Sequence, residues 1–346
     1  MLLEEAKSVL NKLHLSARKK FGQNFMVNEE VLHAAAEAVE VRSGEPLLEI
    51  GPGLGFLTRL LAKKTDRLIA IEKDRAFAAH LAKTFSGQPV KIIEADILKV
   101  DIGSLFAGDA GGESSSARSS NEVTNEHGRV PQAAGPANNE PIRIVGNIPY
   151  NITSPILEWL IFHRRSVKQA VLTMQWEVAE RLMAKPGGKL WGSLSIFVQI
   201  YTKVSLVRKV SRQCFWPAPE VDSAIVKLEF LISPSVEIES EDHFFKIVRR
   251  AFQKRRKTIL NSLLDKEGGV FSKSAVTEAL KKVGIDSMRR PETLNLQEWA
   301  KLSNDMKVIF DSRGDAEAGR PIRAERTPVT RARMGLPQRQ DPENQK

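Results

Sequence analysis

The segment Glu49-Ile50-Gly51-Pro52-Gly53-Leu54-Gly55 is the sharpest chemical signal in the chain. Its glycines permit a tight turn and let backbone N–H groups come close to a ligand. Acidic residues, Glu72 and Asp96, stand at or just beyond the ends of the next two expected strands. Glu72 takes the place of the carboxylate that grips ribose hydroxyls in dinucleotide sites. The glycine spacing is G-x-G-x-G rather than G-x-G-x-x-G, and no lysine follows as in a P-loop. With Glu49, expected to be buried, these features favour an adenosyl ligand without a pyrophosphate. A plain strand-to-helix turn and a nicotinamide dehydrogenase stay open as alternatives.

A second constellation is Gly146-Asn147-Ile148-Pro149-Tyr150. The exocyclic N6 amine of adenine is a poor nucleophile, because its lone pair is delocalised into the ring. Two acceptors, the Asn147 side-chain carbonyl and the Pro149 backbone carbonyl, can draw its N–H protons toward tetrahedral geometry. Proline stiffens the turn that presents its carbonyl. Tyr150 offers a flat face to an unstacked base. The bland alternative is a strand-ending turn with a packed tyrosine. A third feature is a basic run, Lys246, Arg249, Arg250, Lys254, Arg255, Arg256 and Lys257, interleaved with Ile247, Val248, Ala251 and Phe252. An isolated run of this kind reads as a solvated helix face. Beside a base-modifying site it reads as a surface for RNA phosphates, with only some of the charges engaged.

The elements that must position these residues alternate. Short apolar strands are expected at residues 47–50, 68–72, 90–94, 142–146 and 167–174, and helices at 29–41, 56–64, 74–85, 154–162 and from 175 onward. That alternation means an α/β fold with a mostly parallel sheet covered on both faces. Residues 203–210 and 223–231 read as an antiparallel edge. Residues 1–28 read as a basic lead-in, with Arg18, Lys19 and Lys20 before Phe21. From 241 to 310 the spacing is helical. The expected organisation is therefore a Rossmann-like domain at 1–234, a small all-helical RNA-binding domain at 235–311 and a disordered tail at 312–346. Residues 107–140, with no large apolar side chain from Ala107 to Glu140, are expected to be a disordered insertion.

Composition narrows the class further. The formal net charge of +10 over 346 residues raises the odds of a polyanionic partner, nucleic acid first and membrane surface second. No stretch approaches the length of a membrane-crossing helix, and the N-terminus lacks a secretory signal. The single cysteine, Cys214, excludes an internal disulfide and fits a reducing compartment. The histidines are scattered without zinc-ligand spacing, so no metal is expected.

The ordered motifs resemble the ribosomal RNA adenine dimethyltransferases, from about Lys19 to about Phe310. Gln23-Asn24-Phe25-Met26 is similar to the family's Q-N-F-L, Glu49 to Gly53 to its first methyltransferase motif, and Asn147 to Tyr150 to its N-L-P-Y. Trp191-Gly192-Ser193-Leu194-Ser195 resembles Y-G-x-L-S, Phe215 to Ser223 resembles F-x-P-x-P-x-V-D-S, and Phe252 to Lys257 resembles F-x-x-R-R-K. The departures, Met26, Ile148 and Trp191, are near-conservative in volume. The resemblance implies an S-adenosylmethionine-dependent methyltransferase fold. It places Asn24, Met26, Gly51, Gly53, Glu72, Asp96 and Asn147 around the cofactor, with Glu72 on the ribose and Asp96 on the adenine amine. It implies Asn147, Pro149, Tyr150 and Phe215 around the target base, with Phe215 flanking it. It further implies N6-dimethylation of two adjacent adenosines in the 3′-terminal hairpin loop of small-subunit rRNA, on an immature small ribosomal subunit, by a cytoplasmic monomer. The rivals are a macrolide-resistance type acting on large-subunit rRNA, a DNA adenine methyltransferase and a non-catalytic assembly factor on the same fold.

Overall fold

A computed structural model describes residues 1–15, 24–106, 140–254, 256–264 and 271–317. The insertion from 107 to 139, the tail from 318, Arg18 to Gln23 and Arg255 lie outside the described residues. The chain divides into two compact units, one of residues 1–183 and 201–233, the other of 184–200 and 234–346.

The first unit is built on parallel strands whose apolar runs are buried on both faces, except in the strand at the sheet edge (residues 90–94), where no side chain is fully buried. These are β2 (Leu47–Ile50), β3 (Leu68–Glu72), β4 (Val90–Glu94), β5 (Ile142–Asn147) and β6 (Val167–Gln175). A two-residue strand β1 (Phe25–Met26) precedes them, and β7 (Thr202–Val210), β8 (Phe215–Trp216) and β9 (Ser223–Phe230) follow. The seven-stranded sheet runs β4-β3-β2-β5-β6-β9-β7, with β9 antiparallel to β6 and β7 antiparallel to β9. The expected antiparallel edge is therefore present. The order reverses on either side of β2, which places a ligand crevice at the carboxyl ends of β2 and β5. Gly146 pairs with Ile50 across these two strands, and a Cβ there would lie 2.8 Å from the Ile50 carbonyl oxygen.

Helices α2 (Glu29–Ala38), α3 (Phe56–Leu61), α4 (Arg75–Thr84), α5 (Ile102–Leu105), α6 (Thr153–Phe162) and α7 (Trp176–Leu182) complete this unit together with an N-terminal helix, α1 (Leu2–Lys12). The lead-in reading is corrected by α1. Leu2, Ala6, Val9, Leu10 and Leu13 recur at helical spacing, and Ala6 and Leu10 are fully buried in the same core as Phe25, Leu47 and Phe77. Asp74 caps α4 by accepting from the N–H of Ala76 (2.9 Å) and Phe77 (3.4 Å). Glu140, assigned above to the insertion, is anchored instead: its carboxylate accepts from Arg67 at 2.7 Å.

The second unit holds α8 (Ser193–Gln199), α9 (Glu241–Gln253), α10 (Ile259–Leu263), α11 (Lys273–Lys282) and α12 (Leu296–Glu317). The break expected at 234/235 leaves out residues 184–200, which cluster with the later helices. The reason is aromatic packing: Phe197 meets Phe245 edge-on at 5.2 Å, and the Trp191 indole N–H donates to the Leu294 carbonyl at 2.9 Å. The tail boundary also moves, because α12 continues through residues 312–317.

Candidate functional site

A cavity of about 410 Å³ opens at the carboxyl ends of the parallel strands, within the usual range for small-molecule sites. Its wall brings together Asn24, Met26, Glu49, Gly51, Gly53, Glu72, Asp96, Asn147, Pro149 and Tyr150. Residues separated by more than a hundred positions meet because each sits at or beside a strand end. The turn after β2 needs its glycines: Gly53 has φ +57, and a Cβ there would press on the Phe25 ring at 3.2 Å.

Glu72 holds the glycine turn in place. One carboxylate oxygen accepts from the Gly53 N–H at 3.0 Å and the other from the Asp74 N–H at 2.9 Å. Burial pushes its carboxyl up, against the lowering effect of these N–H groups. Glu49 lies behind it, 1% exposed, and its Oε2 has no hydrogen-bond partner. Burial pushes the Glu49 carboxyl up to about 8, and the neighbouring charge of Glu72 adds to the rise. Asp96 differs. Its burial is outweighed by the Lys73 ammonium at 2.8 Å and the Leu98 N–H at 3.2 Å, which hold its carboxyl below the usual range.

These facts decide what the cavity accepts. Lys73 is the one basic side chain on the described wall, and it is already paired with Asp96. The Gly53 N–H, which a pyrophosphate would need, is taken by a carboxylate. A dinucleotide is therefore a poor fit. A ligand carrying positive charge suits the unpartnered Glu49 oxygen and the acidic wall.

At the other side of the cavity Asn147 is fixed by its amide. Nδ2 donates to the Asn24 carbonyl at 2.9 Å, a group that can only accept, so Oδ1 is left as the acceptor. The Pro149 carbonyl accepts from the Ile152 N–H at 3.0 Å and retains a second lone pair. The Tyr150 hydroxyl is 2.5 Å from Ser223 Oγ. Burial raises its pKa, with Asp222 adding to the rise.

Strands β1 and β8 pair antiparallel, with Phe25 opposite Trp216 and Met26 opposite Phe215, and the Val27 N–H donates to the Cys214 carbonyl at 2.9 Å. This small sheet clamps the Asn24–Met26 segment over the cavity. It also buries Phe215, which is 3% exposed and not on the described cavity wall. The base-flanking position expected for Phe215 is not open in this conformation. Ser223 as the partner of Tyr150, Lys73 as the partner of Asp96, and the Asn24 carbonyl as the anchor of Asn147 were not foreseen. The Ser lay within the Phe215-to-Ser223 motif, but no local pattern points to its partner.

The basic run falls in the second unit. On α9, Lys246 and Arg249 are exposed, as are Arg256 and Lys257 beyond its end. Arg250 Nε instead donates to the Leu263 carbonyl at 2.7 Å and stacks on Phe271, and Lys254 Nζ donates to the Leu264 carbonyl at 3.3 Å. Both bind carbonyls at the C-terminal end of α10.

A doubly covered, mostly parallel sheet with an antiparallel edge, and an acidic glycine-turned cavity at its switch point, define a Rossmann-like S-adenosylmethionine methyltransferase. The family described as "Ribosomal RNA adenine dimethylase" matches residues 14–306. A Moorella thermoacetica protein named "Ribosomal RNA small subunit methyltransferase A" is 43% identical over 85% of this chain and 93% of its own length. Among solved structures, a dimethyladenosine transferase from Plasmodium falciparum superposes with TM-score 0.60 at 25% identity, covering 82% of this chain and 97% of that one. The 23S rRNA methyltransferase ErmE superposes with TM-score 0.57 at 26% identity, covering 82% and 100%. The chain belongs to the ribosomal RNA adenine dimethylase family. It is an rRNA adenine dimethyltransferase that uses S-adenosylmethionine.

Glu72→Ala is expected to weaken S-adenosylmethionine binding about tenfold or more, since hydrogen bonds to charged groups contribute roughly 1.5–3 kcal/mol. It should also lower the melting temperature, because the Gly53 and Asp74 N–H groups lose their acceptor. Titration calorimetry checks the first effect, and unchanged affinity would remove Glu72 from the site.

Proposed function

We propose that the chain dimethylates N6 of two adjacent adenosines in the 3′-terminal hairpin loop of small-subunit rRNA. In this reading it acts as a cytoplasmic monomer on the immature small ribosomal subunit. The supporting observation is the Asn147 amide on the cavity wall: anchored through nitrogen to the Asn24 carbonyl, it leaves its oxygen as an acceptor. Bound S-adenosylmethionine supplies a methyl group on a cationic sulfur. Asn147 Oδ1 and the free lone pair of the Pro149 carbonyl accept hydrogen bonds from the N–H groups of the target amine, and the proton that N6 loses on methylation passes to solvent. Tyr150, held by Ser223, supports the unstacked base. Positioning and exclusion of water supply most of the acceleration. No general base is assigned.

The small-subunit reading is supported by the identity to relatives named for that subunit. The likeness to ErmE keeps a large-subunit target as the second reading. Mass spectrometry of rRNA from cells with and without the gene separates them. Loss of dimethyladenosine from small-subunit rRNA alone is expected; loss from large-subunit rRNA, or from neither, would overturn the proposal.

The second unit is assigned to RNA through Arg249, Arg256 and Lys257, with Arg255 beside them in sequence. Arg250 and Lys254 are committed internally and belong to the packing of that unit. Replacing Arg256 and Lys257 with Ala should flatten the log–log salt dependence of RNA binding by about 0.7–0.9 for each phosphate no longer neutralised. S-adenosylmethionine affinity should not change, because that cavity is built within the first unit. Filter binding over a salt series checks this, and parallel lines for variant and wild type would make the run a solvated face.

A further inference from the structure

The segment Asp222-Ser223 ties the catalytic tyrosine to a group of exposed side chains outside the cavity. Ser223 Oγ bonds the Tyr150 hydroxyl, and the Asp222 carbonyl accepts from the Trp176 N–H at 3.0 Å. The Asp222 carboxylate accepts from the Arg212 N–H at 3.0 Å. Ser223 stands between Gln175 of β6 and Val210 of β7 in the sheet register. Neighbouring strands are about 4.8 Å apart, so Trp176, one residue after Gln175, and Lys209, one residue before Val210, start within about 10 Å of Ser223. The Lys209 ammonium lies over the Trp176 ring, 4.5 Å from its centroid. Lys209 and Arg212 are exposed, and among the described residues no carboxylate ion-pairs with either.

Charge is thus divided around the site. The cavity wall carries the carboxylates of Glu72, Asp74 and Asp96, and its lysine is neutralised by Asp96. That wall suits a cationic ligand and repels phosphate. The ground beyond Tyr150 carries Lys209 and Arg212, with the single Asp222 carboxylate held on the Arg212 backbone N–H. We propose that Lys209 and Arg212 form a phosphate-binding surface on the catalytic unit. It holds the RNA strand next to the target adenosine, with Trp176 positioning the lysine. This inference rests on the RNA reading of the site. The partner is RNA rather than an acidic peptide, because the base that reaches Tyr150 carries its flanking phosphates to within this distance.

The test compares Lys209→Ala, Lys209→Arg, Arg212→Ala and Trp176→Leu with wild type. Lys91→Ala, on the exposed β4 edge, is the control. Filter binding to protein-free small-subunit rRNA is measured over a salt series. Methylation kinetics use small-subunit particles from cells lacking the gene. Lys209→Ala and Arg212→Ala should each flatten the log–log salt slope by about 0.7–0.9. Each should raise the KM for RNA several-fold, with kcat and S-adenosylmethionine affinity near wild type. Lys209→Arg should restore both readouts, Trp176→Leu should resemble Lys209→Ala, and Lys91→Ala should match wild type. Slopes equal to wild type for both alanine variants would overturn the inference. A KM effect on particles without a slope change on protein-free rRNA would also overturn it, assigning the surface to a protein partner. A wild-type enzyme that methylates neither rRNA would refute the proposed function, while the slopes still decide this surface.

Discussion

Asn147→Ala is expected to reduce methyl transfer by at least about a hundredfold while leaving S-adenosylmethionine binding within a few-fold of wild type. The expectation rests on which end of the amide is committed. Nδ2 is held at 2.9 Å by the Asn24 carbonyl, so the side chain cannot flip without placing two acceptors against each other. In the proposed function the Oδ1 that remains is the acceptor for the target amine, and alanine removes it outright. A misplacement of about 1 Å near reacting atoms already costs roughly a hundredfold. Asn147→Asp is the sharper variant. It keeps an oxygen acceptor but cannot donate to Asn24, so the carboxylate is driven from this position. It should be nearly as impaired as alanine. Single-turnover transfer to small-subunit particles, beside calorimetric cofactor binding, checks both. If Asn147→Ala lost less than about tenfold, equivalent to about 1.4 kcal/mol of barrier, the acceptor role would be wrong.

The strands of the parallel sheet were legible because each is a short apolar run bounded by turn residues, and the acidic and glycine residues sit where such runs end. The burial of Glu49 also followed from its place inside a strand end. What was not legible depends on pairing across long separations. Nothing within Phe25-Met26 or Phe215-Trp216 marks a strand. Each has only two residues, and each exists because the other pairs with it. That pairing fixes the segment whose Asn24 carbonyl accepts from the Asn147 amide, and so orients that amide.

The basic run shows the same limit. Residue spacing on a helix tells which charges share a face, and Arg249 is exposed as that reading requires. It does not tell that α10 ends beside α9 and offers carbonyls to Arg250 and Lys254. The N-terminal helix was hidden for another reason. The basic cluster Arg18, Lys19 and Lys20 dominates the segment and masks an apolar spacing at Leu2, Ala6, Val9 and Leu10 that buries a face in the core. Residues 184–200 were placed by sequence proximity to the catalytic domain, whereas Phe197 and Trp191 pack with aromatic and backbone groups of the later helices.

Without cofactor, the protein is expected to lose stability as pH rises from about 4.5 to about 8, and Glu49→Gln should remove much of that loss. In the unfolded chain the Glu49 carboxyl ionises around 4.5, whereas in the folded protein burial holds it protonated up to about 8. Between these values the unfolded state releases a proton that the folded state keeps, so the unfolded state gains with every step in pH. The contribution of Glu49 is fully present below the lower value, falls through the interval and levels off above the upper one. At about 1.4 kcal/mol per unit the cumulative effect is on the order of a few kcal/mol. Glu72 is shifted in the same direction, so a smaller slope should survive in the variant. Thermal denaturation from pH 5.5 to 9 checks this: wild type should fall relative to Glu49→Gln up to about pH 8 and then run parallel to it. Parallel curves across the whole range would mean that Glu49 is already ionised in the folded protein, and that its unpartnered oxygen is matched by a charge on the cavity wall.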